Sequence, residues 1–205
     1  MKTNYPVMLK LEGKKVVVVG GGKVAERKVL GLLDTGAEIT VISPEVTKAV
    51  QKLADDGVLL WKCRGFSADD LSGAALVFAA TNDTEINQRV ITAAGPHQLV
   101  TIADDPEASD FHVPATVQRG RLNIAVSTGG ASPILASRIR SELEKQFDES
   151  YEEYLEFLYT VRQRILHEVT DPFLKRKLLT AIVSQEFLKS DNREEDFRKI
   201  YNETV

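Results

Sequence analysis

A chain of 205 residues, 43% hydrophobic and 27% charged, has the balance of an ordinary globular protein and is long enough for one domain with an appendage or two small lobes. Its net charge of −4 excludes the overall basic excess of a nucleic-acid binder, so an anionic ligand must meet a local patch. The single cysteine, Cys63, excludes an internal disulfide and any multi-cysteine metal centre, and the N-terminus shows neither signal peptide nor membrane span, so the expectation is a cytoplasmic protein without a membrane partner.

Lys15–Val19 reads as a strand buried on both faces. A glycine turn follows, then apolar residues at helical spacing from Val24 to Leu33, closed at Gly36. Glu38–Ile42 is the second strand, Glu45–Ala54 a helix and Val58–Trp61 a third strand. Ala75–Ala79, Thr84–Ala93 and Leu99–Ile102 continue as strand, helix, strand. This alternation predicts an α/β fold with a doubly wound parallel sheet over residues 1–113. The pattern then changes. His112–Gln118 and Leu122–Ser127 read as two strands joined at Arg119-Gly120, with a helix starting near Ser132-Pro133, which gives a short segment over 114–147. From 148 to 205 the periodicity is helical: Tyr154, Leu155, Leu158, Val161, Ile165 and Leu166 share one face, Phe173–Phe187 reads as another helix, and Lys189–Lys199 as a solvated surface helix.

Gly20, Gly22 and Ala25 fit G-x-G-x-x-[GA] between a strand and a helix, the context in which the motif has mechanical meaning. Gly20 permits the tight turn, Gly22 lets the backbone approach a pyrophosphate, and Ala25 allows close helix-strand packing, with the anion on the helix N-terminus beside Lys23 and Val24. This is the fingerprint of a Rossmann-like dinucleotide site. The end of the second strand carries Ser43-Pro44 in place of an acidic residue; Ser43 can donate to a ribose hydroxyl, and no arginine is adjacent in sequence to receive a 2'-phosphate, which favours NAD. Ligands of such sheets gather beyond the strands' carboxyl ends, where Thr81-Asn82-Asp83 and Asp104-Asp105-Pro106 fall. Each cluster also suits a cap or a turn. Asp104, directly after a buried strand, is positioned to accept a proton while hydride leaves for the cofactor. A short-chain dehydrogenase is excluded, because none of the five tyrosines has lysine four residues on.

Four ordered blocks carry a resemblance: GGGKVAERK at 20–28, AATNDTEINQRV at 79–90, DDPEASDFHVPA at 104–115 and AVSTGGASPILAS at 125–137. Together they resemble precorrin-2 dehydrogenase, the family that also forms the N-terminal half of siroheme synthase. The resemblance is strong over residues 5–145 and weak over the helical tail. It implies NAD-dependent oxidation of precorrin-2 to sirohydrochlorin, Asp104 as general base, and a homodimer that exchanges contacts through a dimerisation segment at 114–147. It also matches Ser127, Thr128, Gly129, Gly130, Ser132 and Pro133 to the family's S-[ST]-G-G-x-S-P block, a glycine-rich helix start able to offer amides to a substrate carboxylate. Many relatives have asparagine at Thr101 and serine at Thr128. Arg89, Arg119, Arg121, Arg138 and Arg140 lie in or near the blocks, and as a group suit a polycarboxylate; Arg119 and Arg138 are taken as substrate-binding.

Some members of the family also insert ferrous iron. Asp104, Asp105, Asp110 and His112 are the residues available for that, but there is no H-x-x-x-H spacing and no resident metal is expected. A non-catalytic dinucleotide sensor is the other reading; it leaves the Asp104 and Ser127–Pro133 blocks without a task.

Overall fold

Four consecutive valines restrict their own χ1 angles in a helix and pack well on a pleated surface. In the computed structural model, which describes residues 4–103 and 105–204, Val16 to Val19 are at most 2% exposed. They form β1 (Lys15–Val19), the central strand of a parallel sheet ordered β3-β2-β1-β4-β5 with β2 (Glu38–Ile42), β3 (Leu60–Lys62), β4 (Ala74–Ala79) and β5 (Leu99–Ile102). Val16 and Val18 face a layer holding α1 (Lys23–Leu30) and α2 (Lys48–Asp55). Val17 and Val19 face α3 (Thr84–Ala93) and the 3₁₀ turn Ala68–Leu71. The strand order reverses between β1 and β4, which opens a crevice at their carboxyl ends. This unit ends at Val113, and the doubly wound fold is the expected one.

One boundary moved for a local reason. The pattern starts α2 at Glu45, but the helix begins at Lys48 because Thr47 is its N-cap, accepting from Val50 N at 3.4 Å, while Thr47 N donates back to Gly21 O at 3.0 Å.

Asp70 is the buried charge of this unit among the described residues, with 2% of its side chain exposed. It accepts from Lys62 Nζ at 2.9 Å, from Arg64 through NH1 at 2.8 Å and NH2 at 2.5 Å, and from Ser67 N at 3.0 Å in a capping box. These four donors satisfy both carboxylate oxygens, which a buried charge requires.

The second unit begins at Pro114. β6 (Ala115–Arg119) starts three residues later than the pattern suggested and pairs antiparallel with β7 (Leu122–Val126). Gly120 opens their two-residue loop at φ +51°, with Glu152 Cγ only 2.9 Å from where a Cβ would stand, so glycine is required there. Helix α4 (Pro133–Gln146) packs on this hairpin. Then α5 (Ser150–Glu168), α6 (Pro172–Ala181), α7 (Gln185–Lys189) and α8 (Arg193–Thr204) bury Tyr154, Val161, Ile165, Leu178, Ile182, Phe187 and Phe197 between them.

Two helical expectations need correction here. Phe173–Phe187 is two helices, because Ser184 caps α7 by accepting from Phe187 N at 3.3 Å and Tyr154 OH takes the Ile182 carbonyl at 2.8 Å. Lys189–Lys199 is not a wholly solvated helix: it is interrupted before Arg193, and the helix that follows buries Phe197 completely.

The Asp70 cluster predicts an acid-labile first unit. The Arg64 guanidinium, followed by Lys62 and the Ser67 amide, holds the Asp70 carboxyl well below the usual carboxylate range. Its folded pKa is therefore depressed, and its stabilisation is present above the unfolded value of about 3.9 and lost as pH falls below it. Urea unfolding followed by Trp61 fluorescence should show a midpoint that drops from about pH 5 downward. Asp70→Asn should cost on the order of 2–4 kcal/mol at neutral pH and flatten that profile; an Asn variant as acid-sensitive as the wild type would assign the loss to other groups.

Candidate dinucleotide site

The turn after β1 is shaped by contacts that leave no room for side chains at two positions. Gly20 has φ +120°, and a Cβ there would stand 2.3 Å from Ala80 O, at the end of β4. At Gly21 a Cβ would stand 1.8 Å from Glu45 O and 2.8 Å from Ser43 Oγ, at the end of β2. Gly22 differs: a Cβ there meets no protein atom within 4 Å. Gly22 is the N-cap of α1 and offers no side-chain cap, so the amides that open this helix have no side-chain capping acceptor among the described residues. Ala25, fully buried, seats α1 on the sheet. An anion-binding helix start thus opens at the crevice between β1 and β4, and the geometry fits a dinucleotide pyrophosphate.

Lys23 and Val24 present backbone to this opening. The Lys23 ammonium is occupied by Glu26 at 2.9 Å, and Val24 is 37% exposed. Thr47 and then Lys23 hold the Glu26 carboxyl below its usual range, which ties α1 to the start of α2.

Ser43 lies where the sequence puts it, at the end of β2, with its hydroxyl toward the glycine loop and its carbonyl accepting from Trp61 Nε1 at 2.9 Å. Thr81 follows β4, and its hydroxyl is engaged within its own loop: it accepts from Asp83 N at 3.1 Å and lies 2.8 Å from both Asp83 O and Asn87 Oδ1. Asn82 is exposed. Asp83 is the N-cap of α3, accepting from Glu85 N at 2.9 Å and Ile86 N at 3.2 Å, the cap that its cluster also suits.

Two residues of this site escaped sequence reasoning. Gly21 occupies a position the fingerprint leaves free, yet it is the most enclosed of the three glycines. Asn87, 1% exposed, accepts from Thr81 N at 3.3 Å and donates Nδ2 to Thr81 O at 3.2 Å, fixing the segment on which Gly20 rests. The signal available for Asn87 was a polar residue one turn beyond a capping aspartate, on a helix face that must meet the sheet.

Asp104, the expected base, lies outside the described residues. The segment after it turns back along β5: Asp110 N donates to Val100 O and Asp110 Oδ2 accepts from Val100 N, both at 2.8 Å, while Ser109 Oγ accepts from Ile102 N at 2.9 Å. This covers an otherwise bare sheet edge. Asp105 caps the turn, accepting from Glu107 N and Ala108 N at 3.1 Å each. The carboxylates of Asp105 and Asp110 are thus committed to backbone amides, and His112 is exposed.

In the second unit, the Ser127–Pro133 block is a helix start. Ser132 Oγ caps α4 by accepting from Leu135 N at 3.1 Å, Thr128 Oγ1 bonds both Ser132 N and O, and Ser127 Oγ accepts from Gly129 N at 3.2 Å. Gly129 and Gly130 have φ of +59° and +84°, with open space around both. Of the arginines expected to act as a group, Arg121 stacks 3.6 Å from the Tyr159 ring centroid and pairs with Glu156 at 2.6 Å, Arg138 pairs with Glu142, and Arg140 with Glu144. Arg119 is different. Its Nε is buried with no hydrogen-bond acceptor among the described residues, while NH1 donates to Gln118 O at 2.8 Å.

Three family models match the chain in order: NAD(P)-binding over residues 7–115, sirohaem biosynthesis protein central over 119–146, and the SirC C-terminal domain over 151–197. The precorrin-2 dehydrogenase of Priestia megaterium is 37% identical over 193 residues, which cover 94% of this chain and 96% of the relative. The chain belongs to the precorrin-2 dehydrogenase family. A solved structure of SirC, a precorrin-2 dehydrogenase, superposes with a TM-score of 0.83 at 36% identity, over 98% of this chain and all of that one. The siroheme synthase of Methylococcus capsulatus is 37% identical over 172 residues, and there the match spans only 36% of the relative. This member of the precorrin-2 dehydrogenase family is a dehydrogenase of siroheme biosynthesis that binds a nicotinamide dinucleotide. Among the described residues no helix is long and apolar enough to cross a membrane.

The three glycines give a test that separates binding from folding. Gly22→Ala should melt within about 2 °C of wild type, because its methyl meets no protein atom, yet weaken dinucleotide binding by about tenfold or more because the methyl stands in the ligand's path. Gly21→Ala should lose both stability and binding. Thermal melts paired with dinucleotide titrations decide it; a Gly22→Ala protein of unchanged affinity would remove the ligand from this loop.

Proposed function

We propose that the chain oxidises precorrin-2 to sirohydrochlorin with NAD, as a homodimer. The observation that carries this reading is the uncapped start of α1 opening at the crossover of the sheet, beneath a glycine at which a side chain would meet only solvent. A bound nicotinamide supplies the two-electron acceptor.

The chain's residues would divide the work by position. The amides from Lys23 to Ala25 hold the pyrophosphate, and the Ser43 hydroxyl donates to a ribose hydroxyl. Because Thr81's hydroxyl is already bonded within its loop, that loop would meet the dinucleotide through its backbone and through the exposed Asn82. Oxidation of the partly reduced tetrapyrrole removes two electrons and two protons, so each departing hydride leaves one proton behind. Asp104, the second residue after β5, is the carboxylate that takes that proton.

The substrate carries a fringe of carboxylates. Arg119, whose buried Nε lacks an acceptor among the described residues, is the donor best prepared for one of them, and the glycine-rich start of α4 from Ser127 to Ser132 offers amides to another. Arg138, paired with Glu142 on the helix surface at 3.2 Å, is available at little cost. Dimerisation is supported by the β6–β7 hairpin, a two-stranded sheet with both outer edges unpaired, and by Ile134 and Leu135, which are 84% and 48% exposed. A cytoplasmic setting suits the free, exposed Cys63.

Anaerobic incubation with precorrin-2 and NAD should produce NADH together with the sirohydrochlorin absorption spectrum. Asp104→Ala should keep wild-type NAD affinity while kcat falls by about 10²- to 10⁴-fold, the usual range for loss of a general base. Undiminished turnover in that variant would dismiss Asp104 as the base, and no NADH from the wild type would dismiss the activity.

A further inference from the structure

The dinucleotide reading leaves a question at the ribose end: how the site distinguishes NAD from NADP when β2 ends in Ser43-Pro44 and not in a carboxylate. The parallel pairing of β2 with β3 brings residues 62 to 64 alongside that strand end. Ile42 is in register with Lys62, Ser43 N donates to Lys62 O at 3.3 Å, and the Cys63 thiol donates to Pro44 O at 3.2 Å. Lys62 and Arg64 are therefore cations carried next to the place where a ribose is received, although they lie about twenty residues away in sequence. An arginine in that neighbourhood is what a 2'-phosphate needs.

Both cations are engaged on Asp70. Arg64 forks onto both oxygens of Asp70, and its NH1 also donates to Gly65 O at 2.9 Å, which uses both protons of that nitrogen. Lys62 closes on the same carboxylate at 2.9 Å. Asp70 is held in turn by the Ser67 amide, and its own carbonyl accepts from Lys15 Nζ at 2.9 Å, so the carboxylate cannot follow a cation that swings away. Withdrawing Arg64 toward a ligand would leave a buried charge short of donors.

We infer that Asp70 is a specificity-determining residue of the dinucleotide site: by sequestering Arg64 and Lys62 it denies a 2'-phosphate its cationic partner, and so selects NAD. Ser43, whose hydroxyl faces the glycine loop, is left to serve an uncharged ribose. Selectivity here comes from removing the attraction for the phosphate and not from a repelling carboxylate at the end of β2. The inference rests on the dinucleotide site proposed above.

Trp61 reports on this corner directly, since its indole bonds Ser43 O, and it is the chain's one tryptophan. Fluorescence titrations with NAD and NADP at neutral pH should show wild type preferring NAD by about tenfold or more. Asp70→Asn, its folding checked by circular dichroism, should leave NAD affinity within about twofold while tightening NADP by about fivefold or more. Arg64→Gln alone should change neither, and in the Asp70→Asn background it should abolish the gain. A folded Asp70→Asn protein with unchanged NADP affinity overturns the inference. So does Arg64→Gln weakening NADP in the wild-type background, since the arginine would then already be on the phosphate; this second arm decides alone if Asp70→Asn does not fold. Wild type that binds both dinucleotides equally sinks the inference and spares the site; wild type that binds neither sinks the site itself.

Discussion

The first glycine turn is held by main-chain contacts with two neighbouring strand ends, and the rest of the site follows from that constraint. Gly20 lies against the Ala80 carbonyl and Gly21 against the Glu45 carbonyl, both closer than any side chain allows. Thr47 N on Gly21 O adds a hydrogen bond from the start of α2. The turn is therefore positioned by β2 and β4 together, and α1 is aimed into the crevice between β1 and β4 without a capping side chain of its own. Unpaired helix amides are a cost in an isolated helix and an asset where an anion is to bind. Asn87 supports the same arrangement from below, because it bonds Thr81 on three sides while buried in the face of α3.

How much of this was legible in the sequence depends on the range of the interaction. The alternation of β-branched runs with helical periods is local, and it identified all five parallel strands and the two-strand hairpin; α3 and β5 came out at their observed ends. Errors arose where a cap overrode periodicity. Thr47 delayed α2, Ser184 split one helical pattern into α6 and α7, and a buried Phe197 turned an apparently solvated helix into part of a core. Gly20, Gly22 and Ala25 were readable because the fingerprint names those three positions, although the carbonyl that Gly20 rests on, Ala80, is remote in the chain. Gly21 was not, since its reason for being glycine is a carbonyl at Glu45.

Charged residues were the least legible, and for a physical reason. Five arginines near the matched blocks looked like a common resource for an anionic substrate, yet Arg121, Arg138 and Arg140 each meet a glutamate on a helix. The i,i+4 pairs of Arg138 and Arg140 at the surface are weak and yield to a better partner at little cost. Arg121 is a different case, since it also covers the Tyr159 ring, and leaving would sacrifice that contact. Composition counts cations but does not show which are spent.

That distinction bears on how an acidic chain, at net charge −4, accommodates two anionic ligands. In the first unit Lys62 and Arg64 pair with Asp70, and Lys23 at the helix start pairs with Glu26, so in the proposed site the attraction for a dinucleotide would rest on oriented amides and not on mobile side chains. Amides held by the fold are pre-organised, and they lose no rotamer freedom when the ligand arrives. They also favour the pyrophosphate, which both nicotinamide cofactors share, over any additional phosphate elsewhere. A site built this way recognises the common part of its cofactor strongly and leaves the variable part to a single ion-pair cluster, so affinity and selectivity are separable properties of the same crevice.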